Sequence, residues 1–288
     1  MKDFLKSLAS ESPLSVTPRL VLVLFLINIL GRGQVLGTFE MALAASGIFL
    51  PALARTPWFW GLLVTLLGCH IITDSYTLDN HFYLSTYWAS ALFFTYLCHP
   101  DDRIRVLQWN GRLLLGLCML FATIWKLLSA DYLDGSLFHF LFIGDDRFFD
   151  FARIFGGMSP EVSHARGQFL GQLLHPMTDP NLMPMTLRSP SGLRPLSLVV
   201  SWWTIIIEGT MALLFLLPLP PKLKKAPHLV LLLFAVATYP VAPVKGFGTL
   251  LMVMGYAQCG EEQKDLRLAY LGGIVFIMLC SLPVLTWL

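Results

Sequence analysis

Eight apolar runs, separated by short polar turns, dominate this chain, and apolar stretches of that length restrict it to very few folds. They occupy residues 20–30, 35–54, 58–73, 81–97, 106–130, 196–219, 228–256 and 268–288. A helix needs about 20 apolar residues to cross the hydrocarbon core of a bilayer, and roughly 17 suffice. The first run is shorter than that and predicts a short or tilted crossing. Only 13% of the residues are charged, against about 25% in soluble domains, and the mean hydropathy is +0.66. The expected fold is all-α: a polytopic membrane helix bundle of about eight spans, one transmembrane domain over residues 1–288, with one long extramembrane loop.

That loop is residues 131–195, where charges and prolines are too frequent for a span. Its first part alternates Phe138, Phe140, Phe142, Phe148, Phe149 and Phe151 with Asp145, Asp146 and Asp150, as an interfacial helix on a bilayer does. Its later part, 175–195, carries five prolines and predicts an irregular loop or lid. Pro240, Pro243 and Gly246 around Lys245 predict that the run at 228–256 is kinked or broken. Basic residues decide the orientation. A cytoplasmic N-terminus puts Lys2, Lys6, Arg19, Arg55, Arg103, Arg105, Arg112, Lys222, Lys224 and Lys225 inside, leaving Arg32, Lys264 and Arg267 in short outer loops. The positive-inside rule then places 131–195 on the outer or lumenal side of an integral, multi-pass protein. The polar start at 1–17, with no small-x-small site after the first run, predicts that no signal peptide is cleaved.

A net charge of +2, scattered over short loops, excludes a nucleic-acid partner and leaves membrane lipid as the expected surroundings. Five widely spaced cysteines without a CxxC pair are expected to serve as packing residues. The seven histidines show no HExxH or other ligand spacing, so no metal site is expected. Phosphate-binding loops and nucleophile elbows are also missing from the sequence.

Chemistry is therefore sought among the polar residues within or beside the runs, since an ionisable group at membrane depth is a functional candidate. Lys126 stands at the end of an apolar run, where two explanations fit: its stem lies in lipid while the ammonium reaches the headgroups, or the amine belongs to a site. Glu208 lies mid-run beside Trp202 and Trp203. It is either paired with a cation of a neighbouring helix, Lys245 being one such partner, or binds a ligand. Asn80 and His81 open a run on the same predicted side as Lys126, as interfacial hydrogen-bonders or as ligand contacts.

Lys126-Leu127 followed by Tyr132 and Gly135 resembles the K-L-x4-W/Y-x2-G signature of the vitamin K-dependent gamma-carboxylase-like membrane proteins, the horizontally transferred transmembrane domain family. Asp79-Asn80-His81-Phe82-Tyr83-Leu84 is similar to that family's N-N-H-x-Y-L at the start of an earlier span. Glu208 falls where the family has an acid in the next span, and residues 247–257 are similar to a later family helix. The resemblance spans roughly residues 36 to 257.

In the carboxylases of that family a lysine deprotonates a quinol, oxygen converts it to an epoxide, and the strong base so formed starts carboxylation of a glutamyl side chain. The resemblance implies Lys126 as base, with Asn80 and His81 as contacts to the quinol head and a reduced naphthoquinone, vitamin K-like, as the cofactor; Tyr132, Trp203, Glu208 and Lys245 are the further candidate ligand-binding residues. Burial disfavours an ammonium and favours the neutral amine that such a base requires. Three features depart from the pattern, one being that a later helix of the carboxylases offers a histidine and an asparagine where this sequence has the Pro240–Pro243 region. Trp125-Lys126 replaces the adjacent lysine pair, with Lys126 on the first member rather than the one credited as base. The chain also ends at Leu288, just after a run, so a protein partner is expected to supply the extramembrane substrate domain. The expected function is a family member that is non-catalytic alone, binding a quinone or lipid or assisting a partner in peptide maturation or membrane assembly, with Lys126 and Glu208 holding helices together. The alternative is a quinol-dependent oxygenase or carboxylase-like enzyme.

Overall fold

The computed structural model describes residues 2–29, 35–76, 78–159, 189–260 and 262–282, and among them every regular element is helical. The α-helices are α1 (Lys2–Ser10), α2 (Pro13–Ile29), α3 (Val35–Phe49), α4 (Pro57–Asp74), α5 (Asn80–Leu97), α6 (Arg103–Leu128), α7 (Ala130–Leu133), α8 (Ser136–Gly144), α9 (Phe149–Gly156), α10 (Leu193–Leu216), α11 (Ala226–Thr238), α12 (Lys245–Ala257) and α13 (Lys264–Cys280). Prolines punctuate them for the reason proline always does: it supplies no N–H and fixes its own φ. Pro57 stands in the first turn of α4, where an N–H would have no intrahelical partner. Pro240 and Pro243 fall between α11 and α12, so the run at 228–256 is two helices.

Two segments, Pro100–Leu128 and Leu193–Leu216, are long and apolar enough to cross a membrane. α4 and α5, at 18 residues each, are the next longest helices described. The long apolar runs of the sequence thus resolve into two span-length helices and a set of shorter ones. None of the five cysteines forms a disulfide among the described residues.

The chain forms two compact units, and the division falls inside α6 and α10. The first comprises residues 1–119 and 211–282. Its core is built on Trp60, Trp88, Tyr256 and Tyr270, all fully buried. Helix α1 is fastened by its C-terminal carbonyls, which have no partner within the helix. Tyr256 Oη donates to Leu8 O at 3.0 Å, and the buried Arg267 guanidinium donates to Ala9 O at 3.3 Å, to Glu11 O at 2.5 Å and to Gly260 O at 2.6 and 3.1 Å. Arg112 does the same for the end of α10, donating to Phe215 O and Leu217 O at 2.6 Å each.

The second unit holds the described residues 120–159 and 189–210. Here the alternating aromatics of the sequence make a small core: Phe138, Phe142 and Phe148 are buried, with ring centroids 5.7–6.2 Å apart, while Phe140 and Phe155 stay exposed. Gly135, between α7 and α8, has φ +78°, and a Cβ there would lie 2.9 Å from the Leu198 nitrogen of α10. Glycine alone meets both demands, a left-handed backbone and close passage of another helix. Most of the proline-rich stretch 175–195 lies outside the described residues.

Candidate functional site

Helix α10 carries a buried polar face. Ser197, Ser201, Thr204 and Glu208 follow one another at steps of four, three and four residues, which a helix places on one side, and all four are at most 9% exposed. Ser197 and Thr204 turn their hydroxyls back onto carbonyls of their own helix, Leu193 O at 2.7 Å and Ser201 O at 2.9 Å. Ser201 Oγ and Glu208 Oε2 are buried and have no hydrogen-bond partner among the described residues.

The end of α6 meets this face. Lys126 donates from its ammonium to Glu208 Oε1, and both residues are more than nine-tenths buried. Pairing is what makes the burial tolerable: an isolated charge at such a place costs several kcal/mol, and a close partner offsets most of it. Lys126 Nζ also sits 5.5 Å from the centroid of the Tyr132 ring, within the range of a cation–π attraction. Tyr132 in turn packs edge-on against Phe138, with centroids 5.9 Å apart, which ties it to the aromatic core. Burial, and then the negative charge of Glu208, push the Tyr132 phenol above its usual range, so its hydroxyl stays a donor.

The spacing Lys126, Tyr132, Gly135 acquires a physical meaning here. Lys126 reaches α10 at Glu208, Gly135 lets α10 pass at residues 197 and 198, and Tyr132, between them in sequence, covers the ammonium. Asp134 holds the turn, accepting from the Ser136 hydroxyl at 2.6 Å and the Ser136 N–H at 2.8 Å, and these bonds lower its carboxyl pKa.

Other sequence candidates sit elsewhere. Trp203 is on α10 but off the buried face and 41% exposed. Asn80 begins α5 and is exposed, and His81 beside it has Nδ1 3.9 Å from Asp79 Oδ2, both in the first unit. Lys245 is the exposed first residue of α12, also in the first unit. The Lys245–Glu208 pairing is replaced by Lys126–Glu208, because the turn after α6 returns to α10 within the same unit and presents the nearer cation.

Two further features of the sequence belong with these. The Ser201–Thr204–Glu208 face was visible as a polar stripe at helical spacing inside an apolar run. A second buried acid, Glu40, accepts the contact of His70 Nδ1 at 2.9 Å within the first unit. His70 had been set aside only for lacking metal-ligand spacing.

Among the described residues no group of three or more His, Cys, Asp and Glu is arranged to hold a metal ion. No family model, no curated protein and no solved structure matches the chain. Among the described residues, fold and site define an all-helical protein with two helices able to cross a membrane, the buried Lys126 of one paired with the buried Glu208 of the other, and the half-buried Tyr132 phenol beside them. The carboxylase-like resemblance rests on the residues quoted for it.

Proposed function

We propose that this is a multi-pass membrane protein of the gamma-carboxylase-like class, with about eight spans and a cytoplasmic N-terminus, which binds the hydroxyl-bearing head of an apolar ligand at Glu208, Lys126 and Tyr132. The observation that carries this is Glu208. One of its oxygens takes the Lys126 ammonium, and the other is a buried acceptor with no donor among the described residues. A buried acceptor left unsatisfied costs about 1–3 kcal/mol, so a hydroxyl brought in by a ligand gains directly.

A reduced naphthoquinone fits this donor and acceptor set. Its hydroxyl would donate to Glu208 Oε2, and Lys126 and the Tyr132 hydroxyl would serve the oxygen of the oxidised form. Bound there, it would supply two-electron redox chemistry. A lipid hydroxyl has the same hydrogen-bonding chemistry. Lys126 acts in this proposal as the counter-charge that keeps Glu208 in place, rather than as a free base. The reading favours a binding or assembly role for the chain alone, with a partner protein supplying any peptide-presenting domain.

The test is saturable binding of a naphthoquinol to the folded protein in lipid nanodiscs, with oxygen-dependent epoxide formation followed in the same samples. Saturable binding, weakened in Glu208→Gln and accompanied by no epoxide, is the expected result. Binding unchanged in Glu208→Gln would remove Glu208 from the site. Epoxide from wild type that disappears in an equally folded Lys126→Ala would replace the binding role with catalysis by Lys126.

A further inference from the structure

We propose that the turn between α10 and α11 is a seat for the headgroup of an anionic phospholipid, gripped by Lys222, Lys224 and Lys225. This rests on the membrane reading given above, because the turn lies just beyond α10, one of the two helices long and apolar enough to cross a bilayer. Prolines shape it. Pro218, Pro220 and Pro221 follow the end of α10 at Leu216 and, having no N–H, cannot prolong its hydrogen-bond ladder. The chain tightens instead into one 3₁₀ turn, Pro221–Leu223, in which the Leu223 N–H donates to Pro220 O at 2.9 Å, and α11 starts at Ala226. Three ammonium groups are thereby confined to one short turn.

Their charge is left for an outside partner. Every residue from Pro220 to Lys225 is exposed, and residues 209–260 contain no aspartate or glutamate at all. The nearest acid before the turn in sequence, Glu208, is taken by Lys126. The acids that open α6, Asp101 and Asp102, face His99 at 3.4 Å and Arg105 at 3.7 Å. Arg112 of α6 donates to Phe215 O and Leu217 O, which fixes the point from which the turn departs. Among the described residues no carboxylate pairs with Lys222, Lys224 or Lys225.

Apolar groups frame the cations. Leu217 before the turn, Leu223 within it and Leu229 after it are 51%, 47% and 59% exposed. Leucines interleaved with lysines suit the boundary of a bilayer, where the leucines enter the acyl region and the lysine stems lie along it with their ammonium groups among the phosphates. In the proposed orientation this end of α10 meets the cytoplasmic leaflet, whose anionic lipids make its surface negative. Lysines that served only to orient the chain during insertion would have no further use for a charged lipid. A seat, in contrast, selects its lipid by charge in the folded protein.

The experiment is native mass spectrometry of the full chain in detergent, titrated with phosphatidylserine or with phosphatidylcholine, which reads the dissociation constant of the first lipid bound. One lysine near an anionic headgroup contributes about a fivefold preference, and two or three acting together should make wild type bind phosphatidylserine at least about tenfold more tightly. Raising the ionic strength should shrink that preference. Lys222→Gln/Lys224→Gln/Lys225→Gln should bring the two lipids near parity, and the corresponding arginine triple should keep the preference. Lys6→Gln/Lys264→Gln, which removes exposed lysines elsewhere in the same unit, should leave it unchanged. If the glutamine triple does not fold, the three single Lys→Gln variants decide, each lowering the preference by about fivefold. Wild type that binds both lipids equally would overturn the seat and leave the membrane reading standing, whereas binding of neither lipid would overturn both. A preference that survives in the glutamine variants would place the lipid away from this turn.

Discussion

Two buried carboxylates, Glu208 and Glu40, sit in separate units of one chain and are treated in opposite ways. Glu208 is paired with Lys126, and its other oxygen has no donor among the described residues. Glu40 is given a histidine, His70, whose Nδ1 lies 2.9 Å from Oε1, and whose other ring nitrogen lies 3.7 Å from the part-exposed Asp74 carboxylate. The partner, rather than the acid, decides what a buried carboxylate is for.

The largest effect that would sharpen this contrast is in Lys126→Met. It strands the Glu208 carboxylate and should lower unfolding stability by about 3–5 kcal/mol. Adding Glu208→Leu should recover much of that loss, as a double-mutant cycle in detergent would show. Glu40→Leu should cost less, about 2 kcal/mol, because the imidazole left behind has a neutral form; equal losses at the two sites would break the distinction. Gly135→Ala combines a positive φ with a Cβ 2.9 Å from the α10 backbone, and about 2 kcal/mol is expected. Gly157→Ala shares the positive φ with nothing within 4 Å, so it should lose only about 1 kcal/mol in the same melts.

Tyr132→Leu removes the ring over the ammonium and should cost about 1 kcal/mol, whereas Tyr132→Phe keeps most of it. The smallest effect is a pH dependence. The folded phenol binds its proton more tightly than the usual value of 10.0 implies. Its contribution to stability is therefore complete below that pH and is lost as pH rises through the higher folded value. Melting curves of wild type and Tyr132→Phe should keep a constant separation below pH 10 and converge above it. Convergence on the acid side would reverse the sign assigned here.

Helicity was plain in the sequence, because long apolar runs and proline punctuation are local signals, and the break at Pro240 and Pro243 follows from proline chemistry alone. Span length was harder to judge. Hydropathy counts apolar residues wherever they occur, while helices end where turns and packing dictate, as α2, α3 and α11 do. Lys126, Tyr132 and Glu208 were all candidates by composition and position. Which cation Glu208 takes was not legible, since Lys126 and Lys245 are equivalent until the chain is folded and Gly135 turns it toward α10. Glu40 and His70 escaped for a related reason. They are 30 residues apart, and neither carries a sequence signature without the other.

Arg267 sets a timetable for the chain as well as a contact. Its guanidinium holds a carbonyl 258 residues earlier, at Ala9, so α1 cannot be fastened until α13 has been made. At synthesis rates of about 5–20 residues per second, that interval is about 13–50 s. Throughout it, the first helix is a loose end with unsatisfied carbonyls, exposed to proteases and chaperones alike. A helix made late thus closes the first one, and a chain cut short before Arg267 would leave the Ala9 carbonyl without that donor.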